Sequence, residues 1–130
     1  MQEGLERRLR WEKDAKGDLL FFDCSNNTRE EAWGLLEAFD HAITPRPLGS
    51  VRVLADFENA YHEPKLTAQW KANYEGHSDH VQKLACFNIT GGMKVVLAAY
   101  RFYTRLRGLD LDHRLRYFNS EEAAREWLAE

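Results

Sequence analysis

Short apolar runs alternate along this chain with stretches whose apolar residues recur every three to four positions. Leu19-Leu20-Phe21-Phe22-Asp23-Cys24, Val51-Arg52-Val53-Leu54-Ala55, Leu84 to Ile89 and Leu115 to Phe118 are the runs. Each has the length and the β-branched or aromatic content of a buried strand. Glu6 to Trp11 reads as a further strand ahead of them. Asp14-Ala15-Lys16-Gly17-Asp18 lies between it and Leu19, with the residues of a turn and with Gly17 free to take positive φ. The first two strands are therefore expected to form an antiparallel hairpin.

The helical stretches carry their own punctuation. Thr28-Arg29-Glu30-Glu31 fits a capping box, and Ala32, Leu35, Leu36, Phe39 and Ile43 follow at the spacing of one helix face. Pro45-Arg46-Pro47-Leu48-Gly49 ends that helix, and the Val51 strand runs to Asp56. Pro64 suits the first turn of the next helix, where Leu66, Trp70 and Tyr74 repeat every four residues, and Gly76 and Ser78 mark its end. Thr90-Gly91-Gly92 is a turn into a long apolar helix from about Met93 to Leu106, with Gly108 just beyond it. Ser120 caps a terminal helix bearing Ala123, Ala124, Trp127 and Leu128.

The order is β-β-α-β-α-β-α-β-α. Strands alternating with helices imply parallel strands joined by right-handed crossovers, so the expected fold is an α/β sandwich of one five-stranded mixed sheet and four helices. At 130 residues the chain is expected to be a single domain, 1–130. Such a chain can bury about two-thirds of the surface it exposes when unfolded. Charged residues are 30% of the chain and hydrophobic ones 44%, values of an ordinary globular protein. No apolar stretch reaches the length of a transmembrane helix, and nothing at the N-terminus resembles a signal peptide, so a cytoplasmic location is expected. A net charge of -3 argues against a nucleic-acid partner.

Three blocks in the second half carry a resemblance. The first is Val53-Leu54-Ala55-Asp56 followed by Ala60-Tyr61 and a helix. The second is Ala85-Cys86-Phe87-Asn88-Ile89-Thr90-Gly91-Gly92-Met93-Lys94. The third is Arg116-Tyr117-Phe118-Asn119-Ser120-Glu121-Glu122-Ala123-Ala124-Arg125-Glu126-Trp127-Leu128. In that joint order they resemble the small bacterial STAS-like proteins, related in fold to anti-sigma-factor antagonists and to the tail domains of sulfate transporters. A similar architecture occurs in CRAL-TRIO domains. The resemblance covers roughly residues 51 to 130; the hairpin and first helix agree in order only. It implies a non-enzymatic binding or regulatory module. The family's switch serine, at the helix after the central strand, has no counterpart in Glu58-Asn59-Ala60-Tyr61-His62-Glu63-Pro64-Lys65. Thr67 is the nearest hydroxyl, expected inside the helix, and Glu63 is a candidate fixed negative charge at the helix start.

Ligands of open α/β sheets bind beyond the carboxyl ends of the strands. Four polar loops should meet there: Asp23, Ser25, Asn26 and Asn27; Asp56, Glu58 and Asn59; Asn88, Thr90, Gly91 and Gly92; and Asn119 and Ser120. The candidate ligand-binding residues are Asp56, Asn59, Thr90, Gly91, Gly92 and Lys94, a strand-to-helix turn suited to a small anionic ligand or lipid headgroup. The same loops equally suit caps and turns. Residues 94 to 116 hold six basic residues against two acidic ones, and Lys94, Arg101 and Arg105 share a helical stripe. Tyr100, Arg101, Tyr103 and Arg105 are therefore candidates for a protein-partner or self-association surface, as against a solvated or packed face.

Other chemistry has thinner support. Cys24 and Cys86 each sit in an apolar run and read as buried, reduced thiols; the chain has no Cys-x-x-Cys pair to bind zinc or exchange disulfides. Asp23 and Asp56 can meet across strand ends but lack a nucleophile or orienting group, so no catalytic residue is assigned. His77-Ser78-Asp79-His80 straddles a helix end; exposed histidines are expected there, with no metal and no cofactor. Asn26 and Asn88 form glycosylation sequons that carry no meaning without secretion. Trp11, Trp33, Trp70 and Trp127 are expected to pack.

Overall fold

The computed structural model of the chain describes residues 5–89, 94, 95, 98 and 114–130. Its strands are β1 (Leu9–Asp14), β2 (Gly17–Asp23), β3 (Val51–Asp56), β4 (Val81–Phe87) and β5 (Leu115–Phe118). They form one sheet in the order β1-β2-β3-β4-β5, with β1 antiparallel to β2 and every other pair parallel. Three α-helices are described in full: α1 (Arg29–Ile43), α2 (Pro64–His77) and α3 (Glu121–Leu128). The mixed sheet and its opening hairpin are those expected from the sequence. The expected helix 93 to 106 lies outside the described residues, apart from Lys94, Val95 and Ala98, which are helical and exposed.

Strand pleating divides the core in two. Leu20, Phe22, Cys24, Val51, Val53, Ala55 and Cys86 face one way and pack against Leu35, Phe39 and Ile43 of α1 and Tyr74 of α2. Leu19, Phe21, Leu54, Ala85 and Phe87 face the other way, under Ala124, Trp127 and Leu128 of α3. Two successive crossovers along a sheet built in chain order put α1 and α2 on the same face, leaving the opposite face to the terminal helix. β2, β3 and β4 are apolar on both faces because both faces are covered.

The caps form as expected. Thr28 Oγ1 accepts from Glu31 N at 3.1 Å while Glu31 Oε1 accepts from Thr28 N at 2.9 Å. Ser120 Oγ accepts from Ala123 N at 3.2 Å at the start of α3.

Several expected boundaries are corrected. The first strand begins at Leu9 rather than Glu6, because Leu5–Arg8 winds into a 3-10 turn that buries Leu5 beneath α1. It runs on to Asp14, since the hairpin turn is only Ala15-Lys16, closed by Gly17 at φ 114°. β4 starts at Val81, not Leu84, because Val81 is buried and pairs with Val51. It stops at Phe87, because Asn88 turns to φ 59°. Trp11 does not pack inside. It lies on the edge strand, 38% exposed, with the Arg46 guanidinium 3.8 Å from its ring.

Arg52 is the charged residue at the centre of the fold. It is 2% exposed on the middle strand. Its Nη1 donates to Asp14 Oδ2 (3.0 Å) and Leu128 O (3.1 Å), and its Nη2 to Asp14 Oδ1 (2.6 Å) and Gly17 O (3.0 Å). Lys83 Nζ donates to Trp127 O at 2.9 Å beside it. Together they tie the hairpin turn to the C-terminal end of α3.

Candidate functional site

The loops after β2 and β3 share one local design. In Asp23-Cys24-Ser25-Asn26, Asp23 Oδ1 accepts from Ser25 N at 2.9 Å, and Asn26 takes φ 49°. In Asp56-Phe57-Glu58-Asn59, Asp56 Oδ1 accepts from Glu58 N at 3.0 Å, and Asn59 takes φ 50°. Asparagine tolerates the left-handed region better than other residues with a side chain, and an aspartate oxygen can hold the amide two residues on. The sequence therefore builds the same turn twice, on adjacent strands.

The two turns are joined side by side. Asp23 and Asp56 are partners in the β2–β3 register. Cys24 N donates to Asp56 O and Asn26 N to Glu58 O, both at 2.8 Å. Asn59 Nδ2 donates to Asn26 Oδ1 at 3.1 Å, and Tyr61 N to Asn27 Oδ1 at 2.6 Å. Asn88 Nδ2 reaches Asp56 Oδ1 at 3.2 Å, which draws in the end of β4. Arg8, which sequence reasoning passed over, braces the row from behind: its Nη1 donates to Ser25 O at 2.7 Å and its Nη2 lies 3.4 Å from Glu31.

The structure thus brings Asp56, Asn59, Asn26, Asn27 and Asn88 together. Asp23 and Asp56 do meet, but each turns an oxygen to its own loop, and Ser25 Oγ also donates to Asp23. Thr90, Gly91, Gly92, Tyr100, Arg101, Tyr103 and Arg105 lie outside the described residues. Ser120 serves as a helix cap. Asn26, Glu58, Asn59 and His62 are exposed around the joined turns, as are Asn119 and Ser120 after β5.

Glu63 sits just before α2. Its carboxylate accepts from Tyr61 OH at 2.8 Å and Trp33 Nε1 at 2.9 Å, with Arg29 Nε at 3.3 Å. These partners, Tyr61 foremost, hold its carboxyl below the ordinary range. Glu63 is therefore charged, as its position suggested, but the charge is matched by Arg29 and ties α1 to the loop before α2. Thr67 lies inside α2, with Oγ1 donating to Glu63 O at 3.1 Å. His80 is not simply exposed: its Nδ1 donates to Arg46 O at 2.7 Å. Both thiols are buried, and burial pushes Cys24 up and Cys86 up to about 12.

No protein-family model matches the chain, and no curated protein matches it. Among solved structures it is similar to an anti-sigma-factor antagonist (STAS) domain protein from Planctomyces limnophilus. The two chains are 16% identical, with a TM-score of 0.51 over 94% of this chain and 98% of that one. The likeness runs through nearly the whole length of both chains. The fold of this chain is STAS-like.

Proposed function

We propose that the chain is a single-domain, non-enzymatic regulatory module of the cytoplasm that binds another protein through the loops at the carboxyl ends of β2 and β3. The observation that carries this reading is the joined pair of turns Asp23–Asn26 and Asp56–Asn59. A surface held by backbone bonds pays little ordering entropy on binding. Its exposed members, Asn26, Glu58, Asn59 and His62, point to a polar interface. The carboxylates best placed for acid–base work are occupied in shaping the turns, which favours recognition over catalysis. The solved relative is named for opposing another protein, and a protein partner suits this edge too.

The other surface expected from the sequence, on helix 93 to 106, lies outside the described residues. Of the anion-site residues at Thr90 to Lys94, only Lys94 is described, as an exposed helical residue.

The test begins with a partner recovered on the tagged chain and then purified. Glu58→Lys reverses a charge without touching the backbone of the turn and is expected to weaken that purified pair roughly tenfold, as changes at a central contact do. Glu122→Lys, on α3 across the sheet, is expected to leave it unchanged. Equal affinity for wild type and Glu58→Lys removes this edge from the interface.

A further inference from the structure

A cavity of about 130 Å³ lies between the sheet and the helices that cover its first face. Its floor is Phe22, Ala55 and Cys86, from three adjacent strands, and its walls include Phe39 of α1 and Trp70 of α2. Sheet and helices therefore face each other across it, and it opens to the surface near His62 and Lys71. Phe22, Phe39 and Trp70 form a ring cluster with centroids 4.8, 5.5 and 5.6 Å apart, two of the three contacts edge-on. Cys24 and Cys86 add two neutral sulfur atoms to the lining.

Asn27 and Thr67 are committed to bonds outside this space, and Tyr74 and Tyr117 also line it, with their hydroxyls buried. Asn27 Oδ1 accepts from Tyr61 N, and Thr67 Oγ1 donates to Glu63 O. His62 is exposed and Lys71 half-buried. A buried water needs two to four polar partners, and the described lining is mostly rings, aliphatic carbon and thiols, with the Tyr74 and Tyr117 hydroxyls as its buried polar points. An unfilled void of this size costs stability through lost packing contacts. An apolar cavity of about 150 Å³ in another protein stays dry and accepts benzene. Ring edges and sulfur both make favourable contacts with an aromatic face. An ionised ligand would lose its hydration without enough partners in return.

We infer that this cavity binds a small, uncharged aromatic molecule, between benzene and indole in size, among Phe22, Phe39, Trp70 and the thiols of Cys24 and Cys86. The site lies beneath the protein-binding edge and shares Asn27, Tyr61 and His62 with it, but its test uses no protein partner and can fail without touching that reading.

Indole, benzene and octanoate serve as probes on the full chain, with two readouts: the thermal midpoint and the rate at which iodoacetamide alkylates Cys24 and Cys86. At 100 times its dissociation constant indole is expected to raise the midpoint by roughly 5–10 °C. At ten times that constant, alkylation through the opened state slows roughly tenfold. Ala55→Leu and Ala60→Leu each put a larger side chain into the space, and both responses disappear in whichever of them folds. Should neither fold, the wild-type responses decide. No response to indole or benzene, a response that survives in a folded Ala60→Leu protein, or a response to octanoate alone overturns the inference.

Discussion

Asn59 Nδ2 donates to Asn26 Oδ1 at 3.1 Å, and both asparagines stand in the left-handed region, at φ 50° and 49°. Each makes possible the turn that its own aspartate holds, and the bond between them links two loops 33 residues apart. Asn59→Ala keeps a Cβ in that region but loses the amide that compensates it locally, and it removes the bond to Asn26. The expected loss is about 1.5 kcal/mol. Asn59→Gly restores the backbone freedom and loses only the side-chain bond, so it is expected to cost less than half as much. Urea unfolding of the two variants checks the order; equal losses would mean that the conformation contributes nothing.

Arg52 gives a larger effect. Arg52→Ala leaves the carbonyls of Leu128 and Gly17 without their donor and opens a space in the sheet. A loss of about 3 kcal/mol is expected. Asp14, its carboxylate partner, has a side chain 44% exposed, so water can replace much of what it provides. Asp14→Ala is therefore expected to destabilise less than Arg52→Ala. The reverse order in chemical unfolding would show that the ion pair, and not the buried carbonyl bonds, dominates.

Acid should weaken the fold in a definite window. The Arg52 guanidinium holds the Asp14 carboxyl below 3.8. The Thr28 amide holds Glu31 below 4.5, and Tyr61, Trp33 and Arg29 hold Glu63 below 4.5. A carboxyl with a folded-state pKa below its unfolded value adds stability that is complete above the unfolded value and lost as pH falls through the folded one. These three groups therefore contribute fully above pH 4.5, and their contributions disappear as the pH falls below the ordinary values of 4.5 and 3.8. Glu63→Gln removes one of them, and its urea midpoint is expected to fall less steeply with acid than that of the wild type. Superimposable pH profiles would exclude Glu63 as a contributor.

The start of α1 offers a local test. Thr28→Ala removes the hydroxyl that receives the Glu31 amide at 3.1 Å and breaks the reciprocal box. About 1 kcal/mol should be lost. Thr28→Ser keeps the acceptor and is expected to stay close to wild type. Equal losses in thermal or urea unfolding would show that the hydroxyl is not what holds the helix start.

Much of this architecture was legible in the residues because it is written locally. The capping box at Thr28, the apolar face from Ala32 to Ile43 and the strand at Val51–Asp56 depend on neighbours within a few positions, and each appears where its pattern lies. The polar loops at the strand ends were also legible as a row. Their joining was not, because Asn26 and Asn59 look like ordinary turn residues until β2 and β3 come into register. The shift of β1 to Leu9 had the same origin: a two-residue turn sets the pairing, and a window along the chain does not show which residues pair.

Sequence alone determined the order of elements, the faces they bury and the helix starts, since periodicity and capping act over a few residues. Tertiary structure decided the rest. It buried Arg52 against a carbonyl 76 residues away, paired Glu63 with Trp33 and Arg29, and left a cavity beside Phe22, Phe39 and Trp70. Each of these depends on groups far apart in the chain that meet only when sheet and helices pack, and desolvation then makes their contacts count.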